Sequence, residues 1–288
     1  MRDLILNADD FGLTLGVNEA IIRAHREGIL TSTTLMANAQ AFDDAVERVR
    51  ANPLLGVGVH LVLIGGRPVA RPEEVASLVD DKGELPRSLP AFVAKVTSGL
   101  IRQEHIENEL RAQIEKVRLA GIEPSHVDSH KHTHAHPRVM ECVARVAQAC
   151  GIKRIRKPFE NQRDSWNSTR DQRRKTASQL IIAAAAKISS PSFERICHRY
   201  GLRSPDRFLG VAATGGVSRT VLRGLVDTVS DGTTEIMLHP GTCDADLAQT
   251  GSRLQLQRET ELQALLVPEL KTLLRARGIR LISYRDVK

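Results

Sequence analysis

The chain has 288 residues, 41% of them hydrophobic, enough to bury a sizeable core in what a β/α chain of this length routinely builds as one domain. The opening MRDLILNADD breaks its apolar run with acidic residues, fitting neither a signal peptide nor a membrane start, and Leu180 to Ala186 falls far short of the ~18 residues a span needs. Four separated cysteines without C-x-x-C spacing exclude a thiolate zinc knuckle and a disulfide framework, so a soluble, cytoplasmic protein is expected.

Short apolar or β-branched runs alternate with longer helical patterns, the sign of repeated βα units and a largely parallel sheet. Strands are expected at Leu4–Asn7, Ser32–Met36, Val57–Leu61, His126–Ser129, Arg154–Arg156, Glu235–Leu238 and Arg280–Ser283. Helical spacing of apolar residues marks Asn18–His25, Ala41–Arg50, Ile106–Ala120, Arg138–Ala149, Thr220–Val229 and Gln255–Arg277. Gly28, Gly121, Gly151 and Gly278 follow such segments and read as helix C-caps. Two stretches break the rhythm as insertions, Gly65 to Leu100 and Pro158 to about Phe208, and the second carries an alanine-rich helix pattern at Ala177–Ile188.

The net charge of +7 is uneven. Residues 151 to 175 hold Lys153, Arg154, Arg156, Lys157, Arg163, Arg170, Arg173, Arg174 and Lys175 against three acids, Glu160, Asp164 and Asp171. Such a run suits an anionic membrane surface, an acidic substrate or simple solvation. With aromatic residues at 3%, the stacking platforms of single-strand binders are missing and no nucleic-acid partner is expected.

Four features fall at the C-terminal ends of expected strands: Asp9-Asp10, His60, His130 and His239. That edge is where catalytic residues converge in parallel β/α folds. Adjacent carboxylates on a strand point in different directions, so one can bind a metal while the other stays free as a base; the bland alternative is a polar, helix-capping turn. His60 alone is a weak signal, since a lone histidine beside Val57, Val59 and Leu61 is often a hydrogen-bonded interior residue. Residues 126 to 136 concentrate His126, His130, His132, His134 and His136, half of the ten histidines, all at even positions with Asp128. While extended, that segment would present a single face of metal or proton-transfer groups, and spacing alone does not choose among them. His239 precedes Pro240-Gly241, a rigid turn that would fix an imidazole at the same rim.

NADDFGL at 7–13, TSTTLM at 31–36, VGVHLVL at 57–63, DSHKHTH at 128–134, LHP at 238–240 and SYRD at 283–286 together resemble the YdjC-like carbohydrate deacetylases, in that family's order and across nearly the whole chain. The resemblance implies a variant (β/α) barrel, as a single domain. It implies one divalent metal, Mg or Zn with Mn or Co as alternatives, held by Asp10, His60 and His130. It assigns Asp9 as general base and His239 as general acid, leaves His132 and His134 without a fixed role, and suggests a homodimer. HLVLIGGRP at 60–68, LVDDKGELP at 78–86, TEIMLHPGT at 234–242 and the long middle insertion resemble the hopanoid-biosynthesis-associated branch, which acts on an N-acetylglucosaminyl hopanoid. In that setting the basic run and the Ala177–Ile188 helix would meet an anionic inner-membrane surface.

The expected reaction is hydrolysis of an N-acetyl group on a sugar or glycolipid, with a chitooligosaccharide as the alternative substrate. Rival classes are a non-haem iron oxygenase, which shares two histidines and a carboxylate, a metal phosphoesterase, and a catalytically silent sugar- or lipid-binding module.

Overall fold

A computed structural model describes residues 1–160 and 188–288. The chain forms an α/β parallel-sheet half-barrel, the architecture expected. β1 (Arg2–Phe11) is its centre: Leu4, Ile5 and Leu6 are all fully buried, so both faces of the strand are covered, as in parallel sheets flanked by helices. β2 (Ser32–Leu35), β3 (Gly56–Leu61), β4 (Val127–Ser129), β5 (Arg207–Leu209) and β6 (Gly232–Leu238) follow in the spatial order β4-β3-β2-β1-β6-β5, every pair parallel. β7 (Ile279–Leu281) pairs with the first residues of β1, where Leu4 matches Leu281 on one side and Thr234 on the other. β7 and β2 therefore share one edge of β1, end to end.

Between the outer strands β4 and β5, single bridges replace a ladder: Ile155 meets Val127, and Glu160 meets Phe208. The strand expected at Arg154–Arg156 is thus only a bridge, continued by Pro158, which has no N–H to extend the pairing. β5 had no sequence signal, being three residues long. The helix expected over Gln255–Arg277 divides into Leu256–Leu265 and Pro268–Ala276, because Pro268 holds Val267 in an extended conformation and starts a new first turn.

Helices pack on the sheet through one continuous apolar cluster. Thr14 starts the first, Leu15–Arg26, by accepting a 3.2 Å bond from the Val17 N–H. Gly121, Gly151 and Gly278 adopt the left-handed backbone expected of C-caps. Gly28 does not; a Cβ there would lie 2.5 Å from the Leu265 carbonyl oxygen, so its role is close packing. The stretch 65–100 contains a short turn at Pro72–Glu74 and a helix at Leu89–Ser98, and buried Glu109 fastens it by accepting from the Val69 and Ala70 N–H groups at 2.9 Å. In the second insertion Ser190–Tyr200 is helical, whereas the basic run beyond Glu160 and all of the Ala177–Ile188 pattern except Ile188 fall on 161–187, outside the described residues. Among the described residues no helix is long and apolar enough to cross a membrane.

Candidate metal centre

A regular strand would send Asp9 and Asp10 to opposite faces. Here the register with β2 slips between Ala8 and Phe11, and Asp10 takes a left-handed backbone with φ 66°. The distortion costs about 1–3 kcal/mol and persists only where surroundings fix it. It brings both carboxylates to one cavity at the C-terminal ends of the strands.

Asp10 Oδ1 lies 3.6 Å from His60 Nε2 and 3.4 Å from His130 Nδ1, and the three ligand atoms all fall within 4.8 Å of one another. Asp10 Oδ1 is buried without a hydrogen-bond partner among the described residues. Metal bonds of about 2.1 Å to N and O ligands imply tetrahedral edges of about 3.4 Å, so this donor set fits a four-coordinate divalent ion with one position left for water or substrate. Of the histidine-rich segment, His130 is the residue brought beside Asp10 Oδ1 and His60.

Two of these candidate ligands, His60 and Asp10, are oriented from behind. His60 Nδ1 is 2.7 Å from Asp128 Oδ1, and the Thr34 hydroxyl donates to Asp128 Oδ2 at 3.2 Å. A proton on Nδ1 leaves the Nε2 lone pair facing Asp10, the carboxylate–histidine arrangement of many metal sites. Burial works against a charged His60, but the Asp128 carboxylate prevails and raises its pKa to about 9. Asp10 Oδ2 accepts a 2.6 Å bond from Arg258 Nη2; burial opposes ionisation, yet Arg258 holds the carboxyl well below its ordinary range.

Asp9 is gripped by a second arginine. Arg156 Nη1 and Nη2 donate to its two oxygens at 2.7 and 2.6 Å, and Asn7 Nδ2 donates to Oδ1 at 3.0 Å. The same fully buried guanidinium reaches Asp128 Oδ2 at 2.6 Å and Glu235 Oε1 at 2.8 Å, while the Tyr284 hydroxyl donates to Glu235. Burial disfavours the Asp9 anion, but the Arg156 charge outweighs it and lowers the pKa below the carboxylate range. Glu235 is pushed up to about 7 by burial that Arg156 only partly offsets. Asp9, His60 and Asp128 also lie at metal-ligand spacing, but the Arg156 guanidinium bonds both of these carboxylates, so the group supports the neighbouring site.

His239 ends β6 at the cavity, its backbone N–H donating to Glu261 Oε2 at 2.6 Å. Burial, stronger than the nearby Asp9 and Asp10 charges, lowers its pKa to about 4, leaving a neutral imidazole at neutral pH. Burial likewise raises Glu261 to about 7.

The extended histidine face expected over 126–136 does not form. The chain turns into a short helix at His130–Ala135 with Lys131 and His132 left-handed, and this scatters the rings. His126 stacks on Tyr284 with centroids 3.5 Å apart, His134 bonds Ser129 and the Arg156 carbonyl, and His136 meets Thr97. His132 lines the cavity against Phe208.

Asp128 belongs to the even-position array read from the sequence, whereas Arg156, Glu235, Arg258, Glu261 and Tyr284 are supporting residues without an assigned role there. Arg156 was grouped with a surface-type basic run, yet it is fully buried. One signal was available: Glu235 interrupts the apolar strand TEIML, and a buried charge demands a partner.

The cavity has a volume of about 690 Å³. Asp9, Asp10, His60, His130, His132 and His239 share it with apolar residues including Met36, Ile64, Leu89 and Met237. Residues 3–276 match the family model described as YdjC-like protein. The chain is 37% identical to a carbohydrate deacetylase of Geobacillus stearothermophilus, over 99% of this chain and 98% of that one. It is 34% identical to a chitooligosaccharide deacetylase of Yersinia enterocolitica, over 98% of each. A crystal structure from Enterococcus faecalis, described provisionally as a cellobiose-phosphate cleavage protein, superposes with a TM-score of 0.80 at 28% identity, covering 99% of this chain and 98% of that one.

Proposed function

The chain belongs to the YdjC-like family of carbohydrate deacetylases, and from that premise we propose that it is a metal-dependent hydrolase removing the acetyl group from an N-acetylglucosamine-type sugar. The observation that carries the metal dependence is the orphaned Asp10 Oδ1 facing His60 Nε2 and His130 Nδ1. A divalent ion held by Asp10, His60 and His130 would polarise the acyl oxygen and acidify water. Mg or Zn is the expected ion, with Mn and Co as the alternatives.

Asp9, kept ionised by Arg156, accepts the proton of the attacking water as general base. Water's oxygen bonds to the acyl carbon, and the bond from that carbon to the sugar nitrogen then breaks. His239 rests neutral, so its step as general acid requires a proton delivered within the cycle. Asp9, whose charge acts on His239, supplies it, and His239 passes it to the departing amine. The products are acetate and an amino sugar.

For the acetyl bearer, an N-acetylglucosaminyl hopanoid is supported by HLVLIGGRP and TEIMLHPGT, which contribute Ile64, Gly65, Gly66, Met237 and His239 to the cavity. A peripheral inner-membrane location and a homodimer accompany this reading. In the basic run, Arg156 is buried and Lys157 pairs with Glu194, so any membrane contact rests on Lys153 and on residues beyond 160. The Yersinia enterocolitica relative favours chitooligosaccharides as the second substrate class.

Acetate release, followed with and without chelator across N-acetylglucosamine, chitooligosaccharides and a glycosylated hopanoid, tests the proposal. Release unaffected by complete metal removal overturns the metal dependence, and release from chitooligosaccharides alone overturns the hopanoid.

A further inference from the structure

We infer that Arg258 anchors the substrate's acyl oxygen and, after cleavage, the carboxylate of acetate; this rests on the deacetylase reading above. Arg258 stands in the first turn of the helix Leu256–Leu265 and is 1% exposed. Nε donates to the Leu254 carbonyl at 3.2 Å, and Nη2 donates to Asp10 Oδ2 at 2.6 Å and the Ser252 hydroxyl at 3.4 Å. Nη1 is buried and has no partner among the described residues. An arginine carries five N–H donors, and a buried charged donor left unpaired loses its hydration without return. Three of the five N–H donors are thus bonded, and the two on Nη1 lack an acceptor.

Its position defines the acceptor. Arg258 holds one oxygen of Asp10 while the other faces His60 and His130, and all four residues line the same cavity. Glu261, one turn further along the helix, forms no ion pair with it and gives an oxygen to the His239 N–H instead. The cavity is lined by two acids, Asp9 and Asp10, each bonded to an arginine, and by the cations Lys131, Arg253 and Arg258. That balance suits a small anion or an oxygen gaining negative charge, which acyl hydrolysis generates first as an oxyanion and then as acetate.

The turn after β6 is shaped around the same side chain. A Cβ on Gly241 would come within 2.9 Å of Arg258 Cδ, and the Gly241 N–H donates to the Arg258 carbonyl at 3.2 Å. The turn that follows His239 is therefore tied to Arg258.

The test is acetate binding to metal-loaded protein, measured by line broadening of 13C-acetate for wild type, R258Q and R258K, with metal content determined in parallel. Acetate affinity at least ten-fold weaker in R258Q at equal metal content is expected, with R258K between. Equal affinity at equal metal content overturns the inference. Where a substitution costs metal, wild-type protein labelled with 15N-arginine decides: the Arg258 side-chain signal shifts on acetate addition if the anchor exists and stays put if it does not. Acetate release from N-acetyl sugars by wild type is scored separately, so release with an unresponsive Arg258 overturns only this assignment.

Discussion

Arg156 meets Asp9 as two parallel forks, with Nη1 to Oδ2 at 2.7 Å and Nη2 to Oδ1 at 2.6 Å, inside a fully buried network. The pairing keeps Asp9 ionised and fixes its orientation in the cavity. The pairing keeps the carboxylate in its proton-accepting form while lowering its basicity, and the residue responsible lies 147 positions away.

Asp9→Asn keeps the size of the side chain and removes its basicity. Turnover should fall by about 10²–10⁴, the usual contribution of a positioned general base, while metal content stays at the wild-type level. Steady-state kinetics and elemental analysis on the same preparation check both halves. Wild-type turnover in this variant removes Asp9 from the base role.

The α/β class and the ends of β1, β3, β4 and β6 were legible because buried parallel strands leave apolar runs that stop abruptly at polar residues. Asp9, Asp10, His60 and His239 were visible for that reason. β5 was not, since Arg207–Leu209 offers only two adjacent apolar residues, and the strand expected at Arg154–Arg156 shortens to a bridge at Ile155. The Asp10 bulge was also hidden: sequence does not announce a left-handed aspartate, and without it the two acids would part. Arg156 was missed because a buried arginine and a surface arginine are written identically, and only the three carboxylates gathered around it from β1, β4 and β6 distinguish them.

Asp128→Asn tests the support behind the metal ligands. The amide has no negative charge to hold the Nδ1 proton of His60, so Nε2 becomes a poorer ligand. Metal affinity should weaken about 10–100-fold, typical for loss of such a partner. His130→Ala, which removes a half-exposed ligand, should lower occupancy further with little effect on folding. Competition titration with a chromogenic chelator measures both, and unchanged affinity in His130→Ala would remove it from the ligand set.

Metal uptake should be coupled to a proton. His60 has a pKa of about 9 in the metal-free protein, so at pH 7 it carries a proton that a cation must displace. Affinity should rise with pH up to about 9 and then level off, with close to one proton released per ion at pH 7. Calorimetry in two buffers of different ionisation enthalpy counts that proton. The sign for stability is the reverse: the raised pKa stabilises the metal-free fold fully below about pH 6.5, and this contribution is lost as pH rises through about 9. Thermal melts of metal-free protein at pH 6 and 9.5 should therefore diverge more than those of metal-loaded protein.

Arg156→Met should be the most damaging of these substitutions. Three carboxylates, Asp9, Asp128 and Glu235, converge on the guanidinium with no exposed surface to hydrate them. Removing one partner of a buried ion pair costs about 3–5 kcal/mol because the remaining charge is stranded. At about 2–4 °C per kcal/mol for a chain near this size, Tm should drop by roughly 6–20 °C. Glu235, already near pH 7 in its titration, is the group able to relieve the strain by taking a proton. Arg156 holds that titration down, so in its absence the Glu235 carboxyl takes its proton above pH 7 and the deficit should shrink as pH falls toward 7; a melt series from pH 6 to 9 reads it directly, and a pH-independent deficit would mean the carboxylates are not what Arg156 holds in check.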